Sequence, residues 1–376
     1  GLNYQYSPKR VYSNGLMWSH IVGYIRGISS AEYGEKSHQG YNRNSLVGKK
    51  GIEAQYDLEL RGQDGYKIQT VDARNRVKGE VQPLDGEPVP GNDIIITIDE
   101  KIQKSVYDMM QGYPGGAVVT KASTGEILAL YSYPSYDPNI FIGEVEKEIS
   151  DRYANDPQLP FFNRVIQGEY PPSSVFKIIV SAAALADDEV NFYRDIQYCA
   201  GGIAIGPQFF KCEGWHNAQN MFAGFADSCN VYYYRVGIKI GSEKIIRFAH
   251  DYFGMGKQTG VDLPYERKGR VPSHRWKSEM KGTFWWDGDT ANLSIGQGFL
   301  LATVMQMNTV TAALANGGVA YQPHLLKSVR SATDGREIYA AKKNIHIELP
   351  LDKEKIELIQ RAMRAVVEWG TAERAA

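Results

Sequence analysis

The sequence predicts an α+β protein in which a small β-rich domain precedes a larger domain of mixed strands and helices. Three observations support this prediction. The first 80 or so residues mix strand and loop patterns, a turn-rich stretch occupies residues 83–91, and the pattern from about 174 to 330 is mostly helical. We therefore expect one domain over residues 1–88 and a second over residues 89–376.

The elements follow in order along the chain. Residues 46–61 combine a glycine-rich entry with a short helical pattern. Residues 94–98, four isoleucines and a threonine, predict a buried strand, and Asp99 is a capping residue that predicts a helix to about residue 111. A Ser-Thr-Gly turn joins two β-rich runs within 116–132 and predicts a hairpin. The clearest later helical patterns are 175–186 and 301–316.

Composition excludes several classes of function. The chain of 376 residues carries 42 basic and 43 acidic side chains, which leaves a formal net charge of −1 and no electrostatic case for nucleic acid or an anionic membrane surface. Apolar runs long enough to span a bilayer are absent from the sequence. The chain also lacks an initiator Met and a signal peptide, which predicts that it has been trimmed at the front.

The first chemical motif is Ser174-x-x-Lys177 at the start of a predicted helix. The two prolines before Ser173 forbid helix there, so Ser174 falls in or beside the first turn. Side chains three residues apart share a helix face, which allows the Lys177 amine to reach the Ser174 hydroxyl as its base. The alternative is a solvated helix face, because Ser278-x-x-Lys281 has the same spacing without catalytic surroundings.

The second motif is Ser228-Cys229-Asn230, followed by a helical pattern. It is the single Ser-x-Asn in the chain and lies 54 positions after Ser174, which makes it a candidate second catalytic segment. The alternative is that Ser228 serves as a helix N-cap.

These motifs and their flanks resemble the class B penicillin-binding proteins, most nearly the elongation-specific penicillin-binding protein 2. Ser173 departs mildly from the glycine usual in that family. The resemblance implies a transpeptidase domain of the β-lactamase/D,D-peptidase type, an antiparallel sheet flanked by helices, behind a non-catalytic pedestal (dimerisation-type) domain. Further segments that resemble the family are residues 20–24, 47–53, 116–139, 253–264 and 288–298.

The resemblance also implies a function. Ser174 would form an acyl-enzyme with Lys177 as base, Ser228 would relay the proton, and Asn230 would hold the lysine and the substrate backbone. The substrates would be peptidoglycan stem peptides, with β-lactams as mimics and no cofactor needed for the chemistry. Implied partners are a membrane peptidoglycan polymerase and elongation-complex proteins, with no nucleic acid.

The same resemblance predicts a place in the cell and leaves two other functions open. It implies the periplasmic face of the inner membrane and a single N-terminal anchor outside this chain. The first alternative is a D,D-carboxypeptidase or β-lactamase on the same fold. The second is a catalytically idle β-lactam receptor or scaffold.

One family motif, Lys-[Ser/Thr]-Gly, is absent from the sequence. In relatives it lies on a strand that lines the cleft and donates one oxyanion-hole N–H. Residues 368–372 resemble the segment that precedes it. We therefore expect a chain truncated at its C-terminus, lacking its last strands and inactive as given.

All three cysteines lie within 199–229, with one histidine among them. Cys199, Cys212, His216 and Cys229 have the chemistry of a closed tetrahedral zinc site, although their spacing matches no standard finger. The family resemblance adds weight, because some penicillin-binding protein 2 relatives carry zinc here, with His216 and Cys229 matching two of its ligands. A structural zinc would hold the Ser228 loop. The alternatives are a disulfide with one thiol left over, or three unrelated buried thiols.

Overall fold

The computed structural model describes residues 9–65, 68–74, 76–81, 86–143 and 147–375. Its N-terminal part combines short helices with two antiparallel strand pairs, β1–β2 and β3–β4. These elements are α1 (Gly15–Val22), β1 (Tyr24–Gly27), α2 (Ser30–Lys36), β2 (Leu46–Lys50), α3 (Gly51–Gln55), α4 (Asp57–Leu60), β3 (Ile68–Val71) and β4 (Val77–Val81). The region therefore holds more helix than the one short helical pattern that the sequence predicted.

The extra helices form because of packing rather than local propensity. In α1, the side chains of Met17 and Ile21 are buried, and Ile21 packs with Ile52 of α3 against residues from the rest of the chain. An isolated helix of eight residues is unstable in water, so this burial is what stabilises α1.

The predicted linker, residues 83–91, lies partly outside the described residues, because 82–85 are not described. The part that is described folds back on the N-terminal region. Val89 and Gln63 exchange two backbone hydrogen bonds of 2.8 and 3.0 Å, and Asn92 donates to the backbone carbonyl of Glu59 over 2.7 Å. This end of the linker is therefore held against the N-terminal region.

The rest of the chain alternates short strands with longer helices. The strands are β5 (Asp93–Ile96), β6 (Gly115–Thr120), β7 (Ile127–Tyr133), β8 (Gln197–Cys199), β9 (Gly202–Ile205), β10 (Gln208–Lys211), β11 (Asn217–Gln219), β12 (Val319–Tyr321), β13 (Leu326–Arg330), β14 (Glu337–Ala340) and β15 (Ile345–Glu348). The helices are α5 (Glu100–Met110), α6 (Lys147–Ala154), α7 (Lys177–Ala186), α8 (Met221–Ala226), α9 (Asn230–Ile240), α10 (Ser242–Arg247), α11 (His274–Lys281), α12 (Asp287–Ser294), α13 (Val304–Ala315) and α14 (Lys353–Glu368).

The paired strands are antiparallel, as the sequence predicted for the sheet. β13 lies between β5 and β14, and β6 and β7 form the predicted hairpin. The largest core surrounds α7 and α9, with Ile179 and Tyr232 fully buried and α14 packed against them through Ile359. The sheets and helices together make the mixed α and β architecture that the sequence predicted.

A second core joins the N-terminal region to the hairpin. Ile21 and Ile52 contribute from one side and Ile127 and Leu130 of β7 from the other. Polar contacts reinforce it: the Gln103 amide donates to the Met17 carbonyl over 3.0 Å. The N-terminal region is thus packed directly on the strands of the larger part.

Some of the predicted element boundaries are confirmed, and others differ in the structure. Asp99 caps α5 by accepting hydrogen bonds from two backbone N–H groups, as the sequence predicted. The helix predicted at 301–316 begins later, at Val304, because Leu301 bridges to Arg270 and Thr303 forms the N-cap. The stretch predicted as mostly helical also contains six strands, β8–β13. Within the described part of the chain, no helix combines the length and apolar character needed to cross a membrane.

Candidate active site

Ser174 lies in a 3₁₀ turn, Ser173–Phe176, that leads directly into α7. Pro172 occupies the position before this turn, in agreement with the prediction that proline sets where the helix begins. Phe176 is fully buried, whereas Ser174 is exposed. The turn is therefore anchored by one side chain while the hydroxyl of the candidate nucleophile stays accessible.

The residue before the nucleophile has an unusual backbone conformation. Ser173 has φ of 50°, in the left-handed region that favours glycine. Its backbone N–H donates to the carbonyl of Gly296 over 2.9 Å. A Cβ on Gly296 would lie 2.2 Å from the Ser173 carbonyl oxygen, so only glycine allows this approach. The conformation gives a physical reason for the glycine usual at this position in the family.

The Lys177 side chain is buried, 2% exposed, and its amine has three oxygen neighbours. Nζ donates to the Ser228 carbonyl over 2.7 Å, to Ser228 Oγ over 2.9 Å and to Asn230 Oδ1 over 2.8 Å. Ser228 Oγ in turn donates to Ser174 Oγ over 2.8 Å. Within the part of the chain that the structure describes, the Lys177 amine makes no direct hydrogen bond to Ser174. Ser228 therefore links the lysine to the exposed hydroxyl of Ser174.

Three oxygen acceptors around Nζ match the three N–H donors of a protonated amine, and burial favours loss of one of these protons. Burial lowers the pKa of Lys177 to about 8, although Cys229, Cys212 and Glu213 act in the opposite direction. A neutral amine has two N–H donors and one lone pair. The two donors can bind the Ser228 carbonyl and Asn230 Oδ1, which leaves the lone pair facing Ser228 Oγ. With the amine neutral, both hydrogen bonds can reverse, so that Ser174 donates to Ser228 and Ser228 donates to Lys177. The same three groups can then carry a proton from Ser174 through Ser228 to Lys177.

Two residues that the sequence analysis missed hold α7 and α9 together at this point. The Tyr233 ring lies 5.3 Å from Lys177 Nζ, measured to the ring centre, and the Tyr233 and Ser181 hydroxyls share a hydrogen bond of 2.7 Å. Ser181 is four residues after Lys177 and Tyr233 is three after Asn230. Both therefore lie on the helix faces that carry the motif residues. This spacing is visible in the sequence and could have identified them.

The Ser228 loop rests on neighbouring segments. Ser228 has φ of 52° and follows α8, while Asn230 begins α9. The backbone N–H of Thr371 donates to the Ala226 carbonyl over 3.2 Å, so the segment after α14 packs on the end of α8. The prediction of a helix directly after the second motif is confirmed by α9.

The structure brings the three cysteines and His216 together. Their ligand atoms all lie within 4.8 Å of one another. Nδ1 of His216 is 3.5 Å from Cys199 Sγ and 3.4 Å from Cys212 Sγ, and the sulfurs of Cys212 and Cys229 are 4.0 Å apart. All three cysteines are free, and 4.0 Å is far longer than the roughly 2.05 Å of a disulfide bond.

The donor set fits a zinc ion chemically. Tetrahedral Zn–S bonds of about 2.3 Å place sulfurs about 3.8 Å apart, close to the spacing seen here. The pKa of Cys212 is lowered by a hydrogen bond from Cys229, and the Asn230 backbone N–H also donates to its sulfur over 3.2 Å. The same hydrogen bond raises the pKa of Cys229, so without a metal the pair favours one thiolate, on Cys212, and ligation of a metal would require Cys229 to lose its proton as well.

Comparison with known families identifies both parts of the chain. Residues 115–376 match the penicillin binding protein transpeptidase domain, and residues 1–96 match the penicillin-binding protein dimerisation domain. The chain belongs to the penicillin-binding protein transpeptidase family. The two matched ranges leave residues 97–114 between them, and the division predicted between residues 88 and 89 stays a prediction.

Among curated proteins, the chain resembles the peptidoglycan D,D-transpeptidase MrdA of Escherichia coli (strain K12), with 32% identity over 338 residues that cover 88% of this chain and 52% of the relative. MrdA of Acinetobacter baumannii is 31% identical over 348 residues, or 89% of this chain and 51% of the relative. The chain therefore spans about half the length of these relatives.

Solved structures show the same likeness. PBP2 of Helicobacter pylori, in a complex with MreC, superposes with a TM-score of 0.84 at 29% identity, covering 98% of this chain and 67% of that one. PBP2 of Pseudomonas aeruginosa in complex with WCK 5153 gives a TM-score of 0.81 at 28% identity, covering 99% of this chain and 78% of that one.

Proposed function

We propose that this chain carries the acyl-transfer site of a peptidoglycan D,D-transpeptidase of the elongation type. The observation that carries the proposal is the continuous hydrogen-bonded line from Ser174 through Ser228 to the buried amine of Lys177. The names of the relatives support the substrate class, because MrdA is a peptidoglycan D,D-transpeptidase.

In the first step, Ser174 Oγ attacks the carbonyl carbon between the two terminal D-Ala residues of a donor stem peptide. Its proton passes through Ser228 Oγ to Lys177 Nζ. The C–N bond then breaks, and the leaving D-Ala nitrogen takes a proton back along the same line. The products are an ester on Ser174 and free D-Ala, with Lys177 neutral again.

In the second step, the amine of a neighbouring stem peptide attacks the ester carbonyl. A C–N bond forms, the bond to Ser174 Oγ breaks, and Ser174 Oγ recovers a proton that the amine gives up through Ser228. A β-lactam would enter the first step as a mimic of the donor, and its acyl-enzyme would persist because it lacks a departing D-Ala. The proton transfers in both steps use Ser174, Ser228 and Lys177.

A zinc ion would have a structural part in this proposal. Cys199, Cys212, His216 and Cys229 would hold it, and its charge would keep the thiolates assembled. Cys229 lies between Ser228 and Asn230, so the metal site would fix the loop that carries both. Zinc content of the purified native protein, measured by mass spectrometry, tests this part: one equivalent supports it, and none refutes it.

Partners and location are proposed from the relatives. A complex of PBP2 with MreC and a peptidoglycan synthase complex are among the similar solved structures. We propose that this protein works with comparable elongation proteins and a membrane polymerase, at the periplasmic face of the inner membrane through an N-terminal anchor. Co-purification of the polymerase with the full-length protein, and its loss on removal of the N-terminal region, would test the association.

Fluorescent penicillin labelling of the full-length protein tests the nucleophile. We expect labelling to disappear in Ser174→Ala and to persist in Ser278→Ala, which alters the serine of the other Ser-x-x-Lys sequence. Labelling that survives Ser174→Ala would refute the proposal. Persistent labelling without cross-linking of stem peptides would favour an idle receptor, and rapid release of hydrolysed drug would favour a β-lactamase.

A further inference from the structure

A small cavity lies between the N-terminal region and the larger part of the chain, and no residue of the proposed mechanism lines it. The space in it that is open to the centre of a water molecule is about 20 Å³, which is enough for one water molecule or one monatomic ion. His20 and Lys50 line the cavity from the N-terminal region, and Phe161, Asn163 and Gln167 line it from the other side. The described residues that line it include no aspartate or glutamate.

Lys50 brings an amine to this cavity that lacks a counter-charge. Its Nζ donates to the Phe161 carbonyl over 2.7 Å, and within the described part of the chain Lys50 makes no ion pair. Lys49 and Lys244 are half-buried like Lys50, but a carboxylate oxygen lies 2.5 Å from the first amine and 2.7 Å from the second. Burial alone lowers the pKa of Lys50, as expected for a cation without a nearby anion.

Two side-chain amides add hydrogen-bond donors to the same cavity. Asn163 Oδ1 accepts from the Val165 backbone N–H over 3.1 Å, and Gln167 Oε1 accepts from the Asn163 backbone N–H over 2.9 Å. These bonds identify the oxygen of each amide. The two NH₂ groups have no acceptor among the residues that the structure describes. Asn163 is 7% exposed, and a polar group buried to this extent normally has a partner.

His20 lines the cavity as a neutral ring. Its Nε2 lies 2.9 Å from the Pro160 carbonyl oxygen, and its Nδ1 lies 3.3 Å from Ser19 Oγ. Burial, followed by the charge of Lys50, lowers the pKa of His20 to about 3, so the ring carries no charge at pH 7. Among the described residues that line the cavity, Lys50 is therefore the one charged side chain.

We propose that this cavity binds one small monovalent anion of halide size, such as chloride, through the Lys50 amine and the amides of Asn163 and Gln167. A water molecule has two lone pairs and would leave the Lys50 charge unbalanced. A halide ion accepts hydrogen bonds from all three donors and supplies the missing negative charge. The space of about 20 Å³ suits a monatomic ion better than phosphate or sulfate. This inference does not depend on the proposed function.

The bound anion would join two parts of the molecule. Lys50 is the last residue of β2 in the N-terminal region, whereas Asn163 and Gln167 lie in the segment that precedes the Ser174 turn. An ion between them adds a polar contact to the apolar core that already connects the N-terminal region to β7. Because the unfolded chain does not assemble these three donors, the anion binds the folded state and raises its stability.

Thermal unfolding of the full-length protein in detergent tests the site. Sodium gluconate, whose anion is too large for the cavity, is replaced stepwise by sodium chloride at constant ionic strength, which separates binding from screening. We expect the unfolding temperature to rise by roughly 1–3 °C and then to level off. Lys50→Met keeps the apolar stem and should abolish this rise. Lys49→Met alters a neighbouring lysine that does not line the cavity, and it should keep the rise.

A second variant decides the question if Lys50→Met does not fold. Gln167→Glu keeps an acceptor for the Asn163 backbone N–H and puts a second oxygen where the amide nitrogen lies, as a built-in counter-charge for Lys50. We expect a higher unfolding temperature in gluconate and no further rise with chloride.

Crystals grown in sodium bromide locate the ion directly. Bromide should give an anomalous scattering peak in the cavity of the unaltered protein and none there in Gln167→Glu. A water molecule at that position in the unaltered protein overturns the site. So does an equal chloride-dependent rise in the unaltered protein and both cavity variants, because the ion would then act elsewhere.

Discussion

The two halves of the candidate site are held in place by different physical means. The nucleophile half continues into α7, whose residues from Lys177 to Leu185 are at most 4% exposed. The loop half follows β8–β11, which have three or four residues each and one buried residue apiece. Ile205 and Phe210 join these strands to the same hydrophobic core as α7, and Cys199, Cys212, His216 and Cys229 add a cluster of polar contacts that α7 does not have.

This difference determines which solution conditions can disrupt each half. Burial of apolar side chains depends little on pH, redox state or metal supply. A cluster of thiols and an imidazole depends on all three, because its ligands must be deprotonated and reduced to bind a metal. The hydrogen bonds from Lys177 to Ser228 and Asn230 cross from one half to the other. The proposed chemistry therefore requires the loop half to keep its position.

The largest expected effect comes from removing the group that connects the halves. In Lys177→Met, the apolar stem is kept while the base is lost, and the Ser228 carbonyl and Asn230 Oδ1 lose their donor. We expect the second-order rate of penicillin acylation to fall by roughly 10²- to 10⁴-fold. Rapid-quench labelling would measure it, and a fall smaller than tenfold would contradict the assigned role.

The chain offers a matched control for that variant. Lys281 occupies the same position in Ser278-x-x-Lys281, at the exposed end of α11. Lys281→Met should label with penicillin at the unaltered rate. That result would show that the effect of Lys177→Met comes from the position of Lys177 in the candidate site and not from loss of a lysine in general.

The next effect tests the loop half alone. Cys212→Ser should weaken zinc binding by about 100-fold or more, since loss of an outer partner alone costs 10- to 100-fold. Hydrogen exchange should then increase across β8–β11 and near Ser228 while α7 keeps its protection. His38→Ala, at an exposed histidine outside the cluster, should change neither quantity. Equal loss of protection in α7 would show that the two halves are not held separately.

The pH dependence of acylation tests the nucleophile half. With the pKa of Lys177 lowered to about 8, about a tenth of the molecules carry the neutral amine at pH 7. Because protonated lysine cannot accept the Ser174 proton, the rate should rise about tenfold per unit below pH 7 and level off above about pH 8. Acylation rates corrected for spontaneous penicillin hydrolysis would measure this, and a midpoint near 10 would contradict a buried base.

The smallest effect concerns the turn that starts the nucleophile half. Ser173 has φ of 50°, and glycine there would remove a strain of about 1–2 kcal/mol while adding about 0.4–1 kcal/mol of unfolded-state entropy. We expect Ser173→Gly to raise the free energy of unfolding by about 0.5–1 kcal/mol, measured by chemical denaturation. Ser173→Ala keeps the Cβ and should give no gain, and an equal gain in both would argue against strain.

The fold and the site were predictable to different extents. The turn at Ser174, the cap at Asp99, the hairpin of β6 and β7 and the helix after Ser228 were all predicted from short motifs. The sequence predicted a direct contact between Lys177 and Ser174, and the structure does not have it. A shared helix face brings two side chains near each other but does not specify which residue of another segment lies between them. The structure places Ser228 there.

The sequence by itself determined where elements begin and which reactive side chains lie one helical turn apart, because prolines, caps and periodicity act over a few residues. Tertiary packing decided the rest. It buried the Lys177 amine, stabilised α1 against β7, and brought Cys199 and Cys229 to the same point. Burial and distance between remote residues depend on how whole elements pack, and no local pattern in the chain contains that information.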